Sequence, residues 1–227
     1  WETILSLSGN TKTFSSSASQ VAKDTTIGEV AVSLCIDSYA LAQIEMNGEE
    51  NMGFILPENL TVINPDAIGI LKGAPHIETS KKFINFLLSY QGQLIWMLKK
   101  GTKYGPEKYS LNRFSILPEV YTHPDVKLKD INPYKIGKTI KYNFILATKR
   151  WNVLNDMIGC FVIDCHSYLK KAWKIVKDTE NVRLKKRFFE IPVEEKEQKL
   201  LWRNWSNSVF RNRYINEWLN FSIEKYK

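Results

Sequence analysis

Three short stretches of the sequence hold side chains able to contact a small ligand. In Asp37-Ser38-Tyr39 a carboxylate and a phenol lie two residues apart. Deprotonated, the Tyr39 phenol is a hard anionic oxygen donor, and a bound metal ion would bring it well below the free value of about 10. The alternative for Tyr39 is an aromatic residue at a helix start, packed on its neighbours. Asp37 can accept from a cationic or hydroxylated ligand, ligate a metal through oxygen, or cap the helix after it. Ser16 and Ser17 present hydroxyls just before a predicted helix, whose free backbone N–H groups suit a phosphonate, sulfate or carboxylate. A plain N-cap accounts for them equally. Asp66, in Asn64-Pro65-Asp66, adds a carboxylate at a turn, a place turn chemistry also explains.

Catalysis has no comparable foothold. His76, His123 and His166 are scattered, each near a proline or a helix boundary, where capping and surface roles suffice. Neither GxSxG, HExxH, a phosphate loop nor a dinucleotide fingerprint occurs, so the chain is expected not to be an enzyme. Cys35, Cys160 and Cys165 show no CxxC spacing and no His at a metal-ligand interval, and read as buried thiols. A Cys160–Cys165 disulfide is the alternative; a separation of five places the two on different helix faces, so it needs a break between them. Trp151, Trp173, Trp202, Trp205 and Trp218 lie in helical contexts that favour packing over stacking on bases or sugars.

The elements that would position these groups change in kind along the chain. Ser17, followed by Gln20 at capping-box spacing, predicts a helix to about Ile27 that ends at Gly28. Residues 30–34 form a β-branched apolar run of the type buried in a parallel sheet, and 52–56, 60–63 and 67–71 are further strand candidates. Between them an amphipathic helix is expected over 40–46. Residues 76–98 read as two helices separated near Ser89-Tyr90-Gln91-Gly92. After about forty irregular residues containing Pro and Gly, helices are predicted over 149–163, 168–177, 193–205 and 208–226.

Charge divides the same way. Residues 1–96 hold 5 Lys and Arg against 10 Asp and Glu, whereas residues 97–227 hold 27 against 14, within a chain of net charge +8. Acids and large aromatics interleave with the basic residues, so they read as a solvated helical surface rather than a nucleic-acid footprint. With 227 residues and 44% hydrophobic content, the chain can bury a core. No apolar run reaches the roughly 18–20 residues of a spanning helix, and a soluble chain is expected. Trp1 in first place, without a leader pattern before it, suggests a processed or truncated N-terminus.

Four consecutive segments together resemble the second lobe of type II periplasmic solute-binding proteins, in the ferric-iron and related small-solute branch. They are Phe14-Ser15-Ser16-Ser17 through Gly28-Glu29-Val30-Ala31-Val32; Asp37-Ser38-Tyr39-Ala40, where iron-binding members commonly carry paired tyrosines; Asn64-Pro65-Asp66-Ala67 through Lys72-Gly73-Ala74-Pro75; and Lys81-Lys82-Phe83-Ile84 through Ser89 with Gly92-Gln93. The resemblance implies an α/β fold: a three-layer α/β/α lobe over 1–100, an irregular connection over 101–148, and a helical C-terminal region over 149–227 that packs back on the lobe, Arg150-Trp151-Asn152 included. A complete first lobe is implied to precede it.

What the resemblance implies for function is the solute-binding component of an ABC importer, located in the periplasm or otherwise outside the cytoplasm and tied to the membrane through its permease. It would bind a small solute, ferric iron or a small organic anion, between two lobes, with no cofactor of its own and no nucleic-acid partner. Tyr39, Asp37, Ser16, Ser17 and Asp66 are the ligand-binding candidates, and Tyr39 the metal-ligand candidate. The alternative from another class is a basic helical interaction protein that binds an anionic partner through residues 100–227.

Overall fold

The computed structural model describes residues 1–127 and 131–227, and every regular element among them is helical. The α-helices are α1 (Glu2–Asn10), α2 (Ala18–Thr26), α3 (Asp37–Asn47), α4 (Ile77–Leu88), α5 (Tyr90–Met97), α6 (Phe144–Ile158), α7 (His166–Val176), α8 (Val182–Phe189), α9 (Glu195–Asn204) and α10 (Ser208–Tyr226). They fall into two compact units, one of Ser15–Lys141 and one of Trp1–Phe14 with Tyr142–Lys227.

The expected α/β lobe is therefore corrected. The four runs predicted as strands are irregular chain without a sheet, and much of their apolar surface faces solvent: Val32 is 83% and Leu71 84% exposed, whereas Val30, Met52, Phe54 and Leu56 are half-buried. β-branched residues favour extended backbone, but a strand exists only where a second strand takes up its N–H and C=O groups. Here the chain supplies two isolated tethers, Asn59 N–H to the Lys138 carbonyl (2.8 Å) and Ile140 N–H to the Thr61 carbonyl (3.0 Å).

In the unit Ser15–Lys141, α2 packs on α3 and α4 on α5, and α5 also meets a 3₁₀ turn over Pro118–Thr122. The capping box expected at α2 does not form. Ser17 Oγ bonds Ser19 Oγ, Gln20 Nε2 donates to Asp24 Oδ1 (2.7 Å), and no side chain caps the helix. The helix does give way at Gly28, whose φ of +76° lies in the left-handed region.

The Ser89-to-Gln93 junction between α4 and α5 has a local physical cause. Ser89 Oγ accepts from Gly92 N–H (3.2 Å) and donates to the Phe86 carbonyl (2.7 Å), ending one helix and starting the next. Gly92 passes so close to Phe86 that a Cβ there would sit 2.0 Å from the Phe86 oxygen. Gln93 is buried and fully engaged: Nε2 donates to the Leu87 carbonyl (2.8 Å), and Oε1 accepts from Ser115 Oγ (3.0 Å) and Ile116 N–H (2.9 Å). Around this amide Leu94, Met97, Leu98, Val120, Tyr121 and Val126 form the unit's core.

In the other unit α1 and α6 to α10 enclose a larger core that includes Leu5, Phe161, Leu169, Phe188, Leu201 and Trp218. Helices were predicted from sequence over 149–163, 168–177, 193–205 and 208–226; the structure gives α6 with a π turn at Gly159–Ile163, then α7, α9 and α10. Cys160 lies in that turn and Cys165 just beyond it. Both are buried free thiols, with Cys165 Sγ donating to the Cys160 carbonyl at 3.3 Å, and burial pushes each up to about 11. Trp205 stacks on Trp218 with centroids 5.2 Å apart, and Trp173 packs on Phe188 and Phe189, in line with a packing role, whereas Trp151 is 63% exposed and does not pack as expected.

Candidate functional site

The first turn of α3 brings Asp37, Ser38 and Tyr39 together. Ile36 stands at the N-cap and offers no capping side chain, so the Asp37 carboxylate serves the helix start, its Oδ1 accepting from Ser38 N–H at 2.6 Å. A carboxylate is favoured there by the positive end of the helix. Buried Ala40 and Leu41 anchor the turn, and the last residue of α2, Thr26, donates its hydroxyl to Gln43 Oε1 (3.3 Å) in the second half of α3. Ser38 is buried and its hydroxyl has no partner among the described residues. An unpaired buried hydroxyl costs about 1–3 kcal/mol unless something outside the chain engages it. Tyr39 is half-buried beside it.

The electrostatics around this turn are acidic. Burial pushes the Tyr121 phenol up, Tyr134 adds to the shift, and the charge of Asp37 adds further. The Tyr121 hydroxyl donates to the Ser115 carbonyl (2.9 Å), and its ring meets Tyr134 edge-on at 5.8 Å. Burial and the same Asp37 charge raise the Cys35 thiol against a hydrogen bond with Ser33. At the far end of α3, burial works to raise the Glu45 carboxyl, but hydrogen bonds from Ser110 and Asn112, with Lys99 and Lys100 nearby, hold it below the usual range. This clamp fixes the C-terminal half of α3 to the segment after α5.

The other sequence candidates make no bond to this turn. Ser16 and Ser17 are exposed ahead of the α2 start. Ser15 Oγ donates to the Ser17 carbonyl, closing a tight turn there. Asp66 is exposed and pairs with Arg113 (3.5 Å). Among the described residues no hydrogen bond or ion pair joins the Ser16–Ser17 turn, the Asp37–Tyr39 turn and Asp66 to one another, and no three His, Cys, Asp or Glu side chains gather as a metal site. Ser38 and Tyr121 escaped the sequence reading. Ser38 looks like any small residue of a helix start, and Tyr121 lies in an irregular stretch without a motif.

Charged clusters in the other unit are structural. Asp156 accepts from Trp205 Nε1 (2.8 Å) and from Arg211 Nε and Nη2 (2.7 and 2.9 Å). His166 contacts the Ser8 carbonyl (3.1 Å) and the Phe14 ring edge. Lys225 is buried, with Nζ donating to the Glu190 carbonyl (2.9 Å) over the ring of Tyr226 (4.4 Å); burial lowers it to about 8.

Comparison with known proteins bears on the first half of the chain most directly. Residues 1–111 match the family described as bacterial extracellular solute-binding protein. Over nearly its whole length the chain is also similar to two curated proteins, from Salmonella typhimurium and Salmonella typhi, each named phosphoglycerate transport regulatory protein PgtC. Each match is 25% identical and covers 96% of this chain and 52% of the relative. The chain thus spans about half the length of the curated relatives it matches. No solved structure matches it.

Proposed function

We propose that this chain is part of the extracytoplasmic solute-binding component of an import system, and that the first turn of α3 contacts a small hydroxylated organic anion. The observation that carries the reading is the unpartnered, buried Ser38 hydroxyl held between Asp37 and Tyr39. Ser38 Oγ is closed to solvent here, so a solute hydroxyl donating to Asp37 would accept from Ser38 as the turn opens, which removes that unpaired group, with the Tyr39 phenol on the next residue. The acidic turn is a poor seat for the anionic group itself. That group goes to the start of α2, where no side chain caps the helix and Ser16 and Ser17 offer hydroxyls. The solute-binding family matched by residues 1–111 and the phosphoglycerate in the relatives' name support this class of ligand.

No covalent chemistry is involved. Solute binding shifts the population toward a closed form, and a membrane permease distinguishes the two forms by their differential contacts. The test is calorimetric titration of the full-length protein with phosphoglycerate, with inorganic phosphate and ferric citrate as comparison arms. Saturable binding of phosphoglycerate, weakened at least tenfold by Ser38→Ala and by Tyr39→Phe, is expected. Saturable ferric binding with a phenolate-to-iron absorption band lost in Tyr39→Phe would replace the organic anion by iron.

A further inference from the structure

One pair of helices is densely basic. Residues 166–189 carry eight Lys and Arg against Asp178 and Glu180, eight less two or +6 over a short stretch. α7 and α8 pack together and turn Leu169, Val176 and Phe188 into the core. Helical periodicity then sends Lys171, Lys174 and Ile175 of α7, and Val182, Arg183 and Lys186 of α8, to the opposite faces, where all six are exposed. The four cations among them have no ion-pair partner among the described residues. Within this cationic surface Ile175 is 67% and Val182 77% exposed, so large aliphatic groups stand in water beside unpaired lysines.

The pairing of chemistries selects the partner. A polyanion alone would use the cations and leave Ile175 and Val182 wet, and neither side chain has a ring to stack on a base. An anionic bilayer surface uses both: the phosphates meet the Lys and Arg, and the aliphatic groups enter the boundary between headgroups and acyl chains. No helix among the described residues is long and apolar enough to cross a membrane, so the contact would lie along the surface. We infer that the exposed faces of α7 and α8 dock on an anionic phospholipid surface. The inference is independent of the solute reading, since it involves neither α2 nor α3.

Flotation of the full chain with vesicles of phosphatidylcholine, or of phosphatidylcholine with about one third phosphatidylglycerol, tests it. Binding is expected to the anionic vesicles only and to fall as salt is raised. Lys171→Glu/Lys174→Glu/Lys186→Glu is expected to weaken it at least tenfold, and Ile175→Ser/Val182→Ser, which keeps every charge, at least threefold, with helical circular dichroism unchanged in both. No flotation with anionic vesicles would overturn the inference, as would equal flotation with neutral ones. Indifference to Ile175→Ser/Val182→Ser, or displacement from vesicles by a single-stranded oligonucleotide at equal phosphate, would overturn it in favour of a polyanion partner.

Discussion

Gly9 of α1 lies directly against the indole of Trp173 in α7: a Cβ on Gly9 would fall 2.2 Å from Trp173 Cγ and 2.7 Å from its Cβ. Those atoms are near the Trp173 backbone, and the ring also packs on Phe188 and Phe189, which restricts its movement. The contact, with buried Leu5 and the edge of Trp1 on Phe161 (5.4 Å), makes residues 1–14 part of the same core as α6 to α10. Gly9→Ala is therefore expected to destabilise this unit by about 1–3 kcal/mol, the usual cost of overpacking. Urea unfolding followed by tryptophan fluorescence measures it.

Asp156 provides a second stability test, with a defined pH signature. Burial works to raise its carboxyl, but hydrogen bonds from Arg211 and Trp205 and the Arg211 charge outweigh burial and hold it below its usual 3.8. A depressed carboxylate contributes stability that is present above the unfolded value and is lost as pH falls through the folded value. Asp156→Asn should cost about 1–2 kcal/mol at pH 7, a figure kept small because Arg211 is exposed. The gap between wild type and variant should shrink below about pH 4. A gap that stays constant down to pH 3 would show that the Asp156 charge is not what stabilises the fold.

Lys225 should act in the opposite pH direction. Burial, with Arg187 adding, lowers it from 10.5 to about 8, against the pull of Cys165 and Glu190. Between those values the unfolded chain binds more protons than the folded one, so this group makes stability rise with pH from about 8 to 10.5. The full effect is about 3 kcal/mol at 1.36 kcal/mol per unit. Cys160 and Cys165, raised from 9.0 to about 11, oppose it at higher pH, as does Tyr226, raised by its burial. Comparing wild type with Lys225→Met between pH 7 and 9 isolates the lysine. The denaturation midpoint of the wild type should climb relative to that of the variant.

Ser38 offers one test of both stability and the proposed solute binding. Because its buried hydroxyl has no partner, Ser38→Ala should leave the unliganded protein as stable or raise its melting temperature. The same change should weaken solute binding. Thermal melts with and without phosphoglycerate read both effects, and a lower melting temperature without solute would mean that the hydroxyl has a structural partner.

What the sequence made legible were elements whose causes are local. The run 208–226 carries its periodicity in neighbouring turns and folds as α10, and Ser89, Gly92 and Gln93 carry a helix junction in five residues. The runs 30–34 and 67–71 have strand-type side chains, but a sheet depends on a second strand, which composition near Val32 or Leu71 does not reveal. α1 and α8 have no counterpart in the sequence reading: α1 is held by the contact of Gly9 with Trp173, and the basic run around Lys185 reads as surface until Phe188 is seen in the core. At the candidate site, the nearness of Asp37 to Tyr39 was legible from their order in the chain, though the predicted helix over 40–46 starts at Asp37 instead. The approach of Tyr121 to Asp37 joins distant parts of the chain and was not.

The measurement that bears most directly on solute binding at the start of α3 is calorimetric titration of the full-length protein, as wild type and as Tyr39→Phe and Ser38→Ala, with phosphoglycerate. Saturable binding by the wild type, at least tenfold weaker in both variants with their folds intact, is the predicted result. Binding unchanged in both variants, or no heat from any of phosphoglycerate, phosphate and ferric citrate, would contradict it.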